Sequence, residues 1–188
     1  NLYLSGVIGK QSTVNGQTAI GELKNCTNNG AVYTAEGSKG SGSILLAGVI
    51  GDVDFGTASK VADNLVNNGA ISHKGECTDN RLAGVIAYNS VGSFTNCKNT
   101  GAISLAKGAK VNQCYIGGVF GGNMNLGTMS NCTNEGALTV ADGIAFNGYV
   151  WLSGVATLVT SASTEIPTIT NCVNKGALSV GSSTNKKT

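Results

Sequence analysis

Few residues in this chain are of the types that do chemistry, and their spacing offers them little to do. His73 is the only histidine and Arg81 the only arginine. A Ser-His-Asp relay needs an imidazole held between a nucleophile and a carboxylate, and the segment around His73, read as a loop, supplies neither at a recognisable spacing. A glycosidase needs two carboxylates on one substrate. The ten acidic residues are scattered through non-equivalent segments, with Asp52 and Asp54 the closest pair. Calcium takes about six to eight oxygens, so that pair is expected to be solvated loop charge. None of the six cysteines lies in a C-x-x-C or Cys/His pairing of the zinc-binding type. The glycine-rich stretch Gly117-Gly118-Val119-Phe120-Gly121-Gly122 lacks the lysine and following helix of a phosphate loop, and is read as turns. No catalytic residue, metal or cofactor is expected.

Composition narrows the classes further. A chain of 188 residues suits one domain. Charged residues make up only 12% and the net charge is +2, which argues against nucleic acid as a partner and against an acidic tail. Hydrophobic residues reach 41%, enough for a sizeable core. No apolar run approaches the ~18 residues of a membrane span.

What does recur is a pair of blocks. The first reads N-[CL]-x-N-x-G-A-[VIL] and starts at Asn25, Asn64, Asn96, Asn131 and Asn171. The second is Leu4 to Gly9, repeated at Leu46, Leu82, Ile116 and Leu152, with a shared glycine at 6, 48, 84, 118 and 154. Successive shared glycines are 42, 36, 34 and 36 residues apart. Strict alternation at this period is the signature of a repeat architecture. The prediction is an all-β fold, a single-stranded parallel β-helix (β-solenoid) of about five coils of about 35 residues, each with three short strands and variable loops. Whether 35 residues make one coil or two smaller ones stays open, because both blocks place apolar residues two before and one after a pivot. No window keeps a helical period, and Gly, 28 in all, is spread throughout.

In such a solenoid equivalent residues stack ~4.8 Å apart, so each column should keep one residue type. Four columns are apolar: Leu4/Leu46/Leu82/Ile116/Leu152, Val7/Val49/Val85/Val119/Val155, Leu23/Ala62/Phe94/Met129/Ile169 and Val32/Ile71/Ile103/Leu138/Leu178. These are the expected core. Two columns are pure asparagine: Asn25/Asn64/Asn96/Asn131/Asn171 and Asn28/Asn67/Asn99/Asn134/Asn174. Stacked amides can donate rung to rung, and asparagine tolerates the left-handed conformation of a corner. The glycine two places after the second asparagine is expected to take positive φ. Cys26, Cys97, Cys132 and Cys172 share a column with Leu65, so they are expected to be buried free thiols instead of disulfides. Cys114 falls in a column with Leu2, Ile44, Asn80 and Val150, also core; Cys77 has no place in the register.

One column faces outward by alternation: Tyr3, Leu45, Arg81, Tyr115 and Trp151, with Tyr149 pointing the same way. Exposed aromatics in a row would form a platform for a sugar ring or a protein partner, giving Tyr3, Arg81, Tyr115, Tyr149 and Trp151 as candidate ligand-binding residues. The alternative is that a return loop covers them. The sequons at Asn25 and Asn131 lie in an asparagine column, where a ladder amide is a poor glycan acceptor. The column Tyr33/Ser72/Ser104/Thr139/Ser179 is too irregular for an ice-binding threonine array.

The block Ile116-Gly117-Gly118-Val119-Phe120-Gly121 followed by Asn131-Cys132-Thr133-Asn134-Glu135-Gly136 resembles the GLUG-type repeats of bacterial surface proteins. The chain departs from them where Ala87 and Thr157 replace the last glycine of the block, and where Ser5, Ala83 and Ser153 replace its first. The resemblance implies a parallel β-helix in a secreted or surface-anchored bacterial protein with an adhesin-like or scaffold role, and it supplies no catalytic residues. The expectation is therefore a non-enzymatic extracellular module (residues 1–180 plus a polar tail, 181–188, within a longer chain). Its partners would be a surface glycan or protein and neighbouring domains of the same chain. A carbohydrate-active β-helix enzyme with catalytic groups on loops, and a self-assembling fibre subunit, are the alternatives.

Overall fold

The computed structural model describes residues 1–11, 13–14, 17–18, 21–56, 60–89, 91–122, 125–160 and 166–182. Most of the predicted tail, from 183 on, lies outside them. The described residues contain no helix; they form short strands in parallel sheets, apart from one small antiparallel pair, Thr13–Val14 with Gln17–Thr18. Leu4 pairs with Leu46, Leu46 with Leu82, Leu82 with Ile116 and Ile116 with Leu152. One repeat is therefore one coil, and five rungs stack in register.

The first sheet is built from Leu2–Ser5, Ser43–Ala47, Glu76–Ala83 and Lys110–Gly117, with Ala145–Phe146 and Val150–Ser153 in the last rung. A third sheet (Leu23–Lys24, Val61–Asp63, Val91–Thr95, Asn125–Ser130, Thr168–Thr170) and a fifth (Val32–Tyr33, Ile71–His73, Ile103–Leu105, Leu138–Val140, Leu178–Val180) carry two more of the apolar columns. Between them run two shorter sheets. The second is Ile8–Lys10, Ile50–Val53 and Ile86–Asn89; the fourth is Thr27–Asn28, Val66–Asn67, Lys98–Asn99, Thr133–Asn134 and Val173–Asn174. The apolar columns are buried in the middle rungs; of their outermost members Val7, Ile169 and Leu178 are exposed, whereas Leu23 and Val32 stay buried.

The two asparagine columns do different work. Asn25, Asn64, Asn96, Asn131 and Asn171 all take φ between 53° and 55°, turning the chain from the third sheet to the fourth. Their amides face out and donate toward the preceding rung: Asn64 to Asn25 (2.9 Å), Asn131 to Asn96 (3.3 Å) and Asn171 to Asn131 (3.2 Å). Asn96 breaks the file by donating to Asp63 Oδ1 (2.7 Å). The inner column runs unbroken and donates the other way, Asn28 to Asn67, then Asn99, Asn134 and Asn174, at 2.7–2.8 Å. Each inner amide also donates to the carbonyl of the glycine two residues on, at 2.7–2.9 Å.

That glycine does not take positive φ, contrary to the expectation above; among the described residues the positive-φ glycines are 37, 56, 92, 108 and 143. Its smallness is needed for approach. A Cβ on Gly69, Gly101, Gly136 or Gly176 would sit 1.8–2.0 Å from the carbonyl of the equivalent glycine one rung before. The shared glycine of the other block is squeezed from two sides, by the carbonyl of its counterpart in the next rung and by an inner asparagine. A Cβ on Gly84 would lie 2.3 Å from Asn99 Cγ, and one on Gly118 would lie 2.4 Å from Asn134 Cγ. The two blocks therefore repeat together because they touch: the inner amides of one press on the bare Cα atoms of the other.

This contact pinches the cross-section into two lobes. One holds Val49, Leu65, Phe94, Cys97 and Cys132. The other holds Leu46, Leu82, Ile103, Cys114 and Leu138. The asparagine–glycine seam runs between them as a polar septum.

Candidate functional site: the outward face of the first two sheets

Where the glycine seam turns the chain inward, the outer faces of the first and second sheets fold toward each other. Leu45, Ala47, Ala83 and Ala87 form a small apolar cluster there, with Tyr3 and Tyr88 packed against it. Gly121 belongs to the same tight contact, since a Cβ on it would lie 2.9–3.2 Å from Leu82, Ala87 and Ala83. In the middle rungs the last position of the second block is thus confined to small residues, and Ala87 fits it fully buried.

The outward column predicted from alternation stacks as expected, Tyr3 on Leu45 on Arg81 on Tyr115 on Trp151. The structure brings four of the five candidate ligand residues into one file and adds Tyr88, which the repeat pattern did not single out. Tyr149 lies on Trp151 with centroids 5.4 Å apart, and Trp151 on Tyr115 at 4.3 Å. The Arg81 guanidinium then sits 4.9 Å from the Tyr115 centroid and 4.6 Å from that of Tyr88. Tyr115 is buried in the file, whereas Trp151 is 37% and Tyr149 64% exposed. No described return loop covers this end of the file. Tyr3, the fifth candidate, stands apart, with Lys10 Nζ 4.9 Å from its ring centroid and 3.2 Å from its hydroxyl.

Beside the Arg81 end of the file is a hollow of about 230 Å³, lined among others by Tyr3, Ser43, Asp52, Arg81 and Tyr88. Asp52 corrects a sequence expectation. It is not solvated loop charge but a strand residue, 9% exposed, whose register puts it beside Tyr88. Burial raises its pKa from the ordinary carboxylate value, against the lowering influence of Lys10, whose ammonium lies 3.4 Å away. Lys10 is raised in turn, first by its bond to Tyr3 and then, against its own desolvation, by Asp52. Arg81 Nη2 pairs with Asp79 Oδ2 at 3.2 Å, and Ser43 Oγ donates to the same oxygen at 3.4 Å. Arg81 Nη1 and Asp79 Oδ1 are shielded from solvent and bonded to no protein atom. Asp54 does not join Asp52; its Oδ1 accepts from Gly56 N at 2.8 Å in a turn.

His73 and Cys77 also differ from their reading in the sequence. His73 ends a strand, is fully buried, and occupies the position paired with Leu105. Lys74 N donates to Thr34 Oγ1 (3.1 Å), the same hydroxyl bonds His73 Nδ1 (2.9 Å), and His73 Nε2 lies 3.8 Å from Cys77 Sγ. Cys77 is in register after all, paired with Val111, because the first sheet lengthens to eight residues in this rung. Burial lowers His73 to about 4 and raises Cys77 to about 12, so both are neutral. A thiol so raised is a poor nucleophile.

All six cysteines are free, with Cys77, Cys97, Cys114 and Cys132 buried and Cys26 and Cys172 half-buried. The column thiols donate to the carbonyl two residues before, at 3.4–3.5 Å. Cys97 is pushed well up by the Cys132 side chain and by burial. Among the described residues no group of three or more His, Cys, Asp and Glu could hold a metal ion, and no helix is long and apolar enough to cross a membrane. Compared with protein-family models, curated proteins and solved structures, the chain matches none.

Proposed function

We propose that the chain is a binding module of a secreted or surface-displayed bacterial protein, a rigid solenoid that presents a glycan platform on the outward face of its first sheet. The observation that supports it most is the file Tyr149–Trp151–Tyr115–Arg81–Tyr88, packed from its buried members outward so that the rings of Trp151 and Tyr149 are held open to solvent. Rigid aromatic faces give sugar rings a flat apolar surface at little entropic cost. The likeness to GLUG-type surface repeats agrees with this role. A glycan array on the wild type and on Trp151→Ala tests it. Wild-type binding to a sugar set that Trp151→Ala loses about tenfold or more is the expected result. A wild type that binds no sugar would leave only the scaffold role.

Asp52 favours a second reading, a carbohydrate-active enzyme, because a carboxylate of raised pKa beside aromatic rings is what a general acid requires. A two-carboxylate mechanism also needs a partner across the substrate, and the nearby Asp79 is held by Arg81 and Ser43. Release of reducing ends from the glycans that bind, abolished in Asp52→Asn, would move the assignment to the enzyme.

A further inference from the structure

The binding platform and the hollow beside it are two ends of one file, and the hollow has a chemistry of its own. It is walled by two tyrosines, floored by Leu45, and carries a carboxylate and a guanidinium. Its charges are already matched in pairs, Lys10 with Asp52 and Arg81 with Asp79. An acidic ligand would bring its charge against Asp52, and a basic one would meet Arg81 and Lys10. A neutral polyol meets neither penalty. Its hydroxyls donate to a carboxylate and accept from a guanidinium, and Asp52 and Arg81 both line the hollow. The volume of about 230 Å³ falls below the ~300–1,000 Å³ of pockets for drug-sized ligands, which fits one ring and not a chain.

From these observations, and resting on the glycan platform proposed above, we infer that the Asp52–Arg81 hollow is a subsite for a single neutral sugar residue. Its hydroxyls bond Asp52 and Arg81, its ring lies against Tyr88 or Tyr3, and the rest of the glycan reaches the open rings of Trp151 and Tyr149. The raised pKa of Asp52 agrees: a desolvated carboxylate gains most from hydroxyl donors.

The test titrates the full chain with the methyl glycosides of glucose, galactose and mannose, with glucuronate and with glucosamine, followed by saturation-transfer NMR. At least one neutral glycoside is expected to bind, more tightly than either charged sugar. Asp52→Asn should weaken it about tenfold, the loss of one charge-assisted hydrogen bond, with the thermal midpoint unchanged. If Asp52→Asn lowers the midpoint, Arg81→Lys, which keeps the charge and loses the fork, carries the same expectation. Preference for glucuronate or glucosamine overturns the neutral assignment, and equal binding by wild type and both variants overturns the subsite. Oligosaccharides that bind and are lost in Tyr149→Ala, with no monosaccharide bound at all, overturn the subsite and leave the platform standing. A chain that binds neither class overturns both.

Discussion

His73 occupies a place in the fifth sheet that the next rung gives to Leu105. An imidazole can stand there because its two nitrogens find Thr34 Oγ1 and Cys77 Sγ, and because it stays neutral. Its unfolded pKa is the ordinary 6.5 and its folded one about 4, so the unfolded chain takes up the proton first. The contribution is fully present above 6.5 and is lost as pH falls from there toward 4, to a limit of about 3 kcal/mol. Urea denaturation near neutrality and again near pH 4 should therefore show a loss of stability that His73→Leu lacks in part, the difference between the two slopes being the histidine's share. Equal slopes would mean that the imidazole is charged or hydrated in the fold. The sequence could show that His73 has no catalytic partners. That the residue is core was legible only from its counterparts in the later copies, Leu105, Val140 and Val180, which are apolar; the polar types of Thr34 and His73 in the first two copies masked that column.

At the scale of strands and columns, what was legible is what repeats. Leucine two before the shared glycine, valine one after it, and the αL asparagines all hold their predicted places. What the repeat hid was the reason for its glycines. A pattern demands Gly equally for positive φ and for close approach, and only the backbone angles and the close contacts in the fold separate the two. The inward turn of the second sheet was hidden for the same reason, and with it Tyr88 and the burial of Asp52. Asn80 shows the reverse case, a residue that departs from its column. It stands fully buried between Ile44 and Cys114, and neither amide atom has a protein partner. An amide buried without partners costs about 1–3 kcal/mol, and its neighbours in register are apolar. Asn80→Val should raise the chemical-denaturation midpoint by that order. A drop instead would show that the amide is satisfied by bound water and that the column tolerates no branched side chain there.

For the whole molecule the septum matters more than either lobe. Each interior amide of Asn67, Asn99 and Asn134 bonds its own coil's glycine and the next rung's asparagine, while pressing on the glycine seam opposite. The walls of both lobes are therefore held by the same groups, and neither lobe can open without unpairing amides that the other needs closed. Repeat proteins are stabilised largely by contacts between neighbours along the axis; here a contact across the axis is added in every rung. The cysteines report on the two sides separately, Cys97 in the lobe of Phe94 and Cys114 in the lobe of Leu82, and both are fully buried. Pulsed thiol labelling across a urea gradient, read by peptide mass, should expose Cys97 and Cys114 at one common midpoint. In Asn99→Ala, which strips a rung of its amide bonds, both midpoints should fall together, by about 3 kcal/mol in stability. Exposure of Cys114 at lower urea than Cys97, or a shift confined to one thiol, would make the lobes independent units and reduce the septum to a spacer. Coincident shifts would identify the asparagine–glycine seam as the element that makes one cooperative body of two thin cores, and so as the support that keeps the aromatic file and the Asp52 hollow in fixed geometry on its outer side.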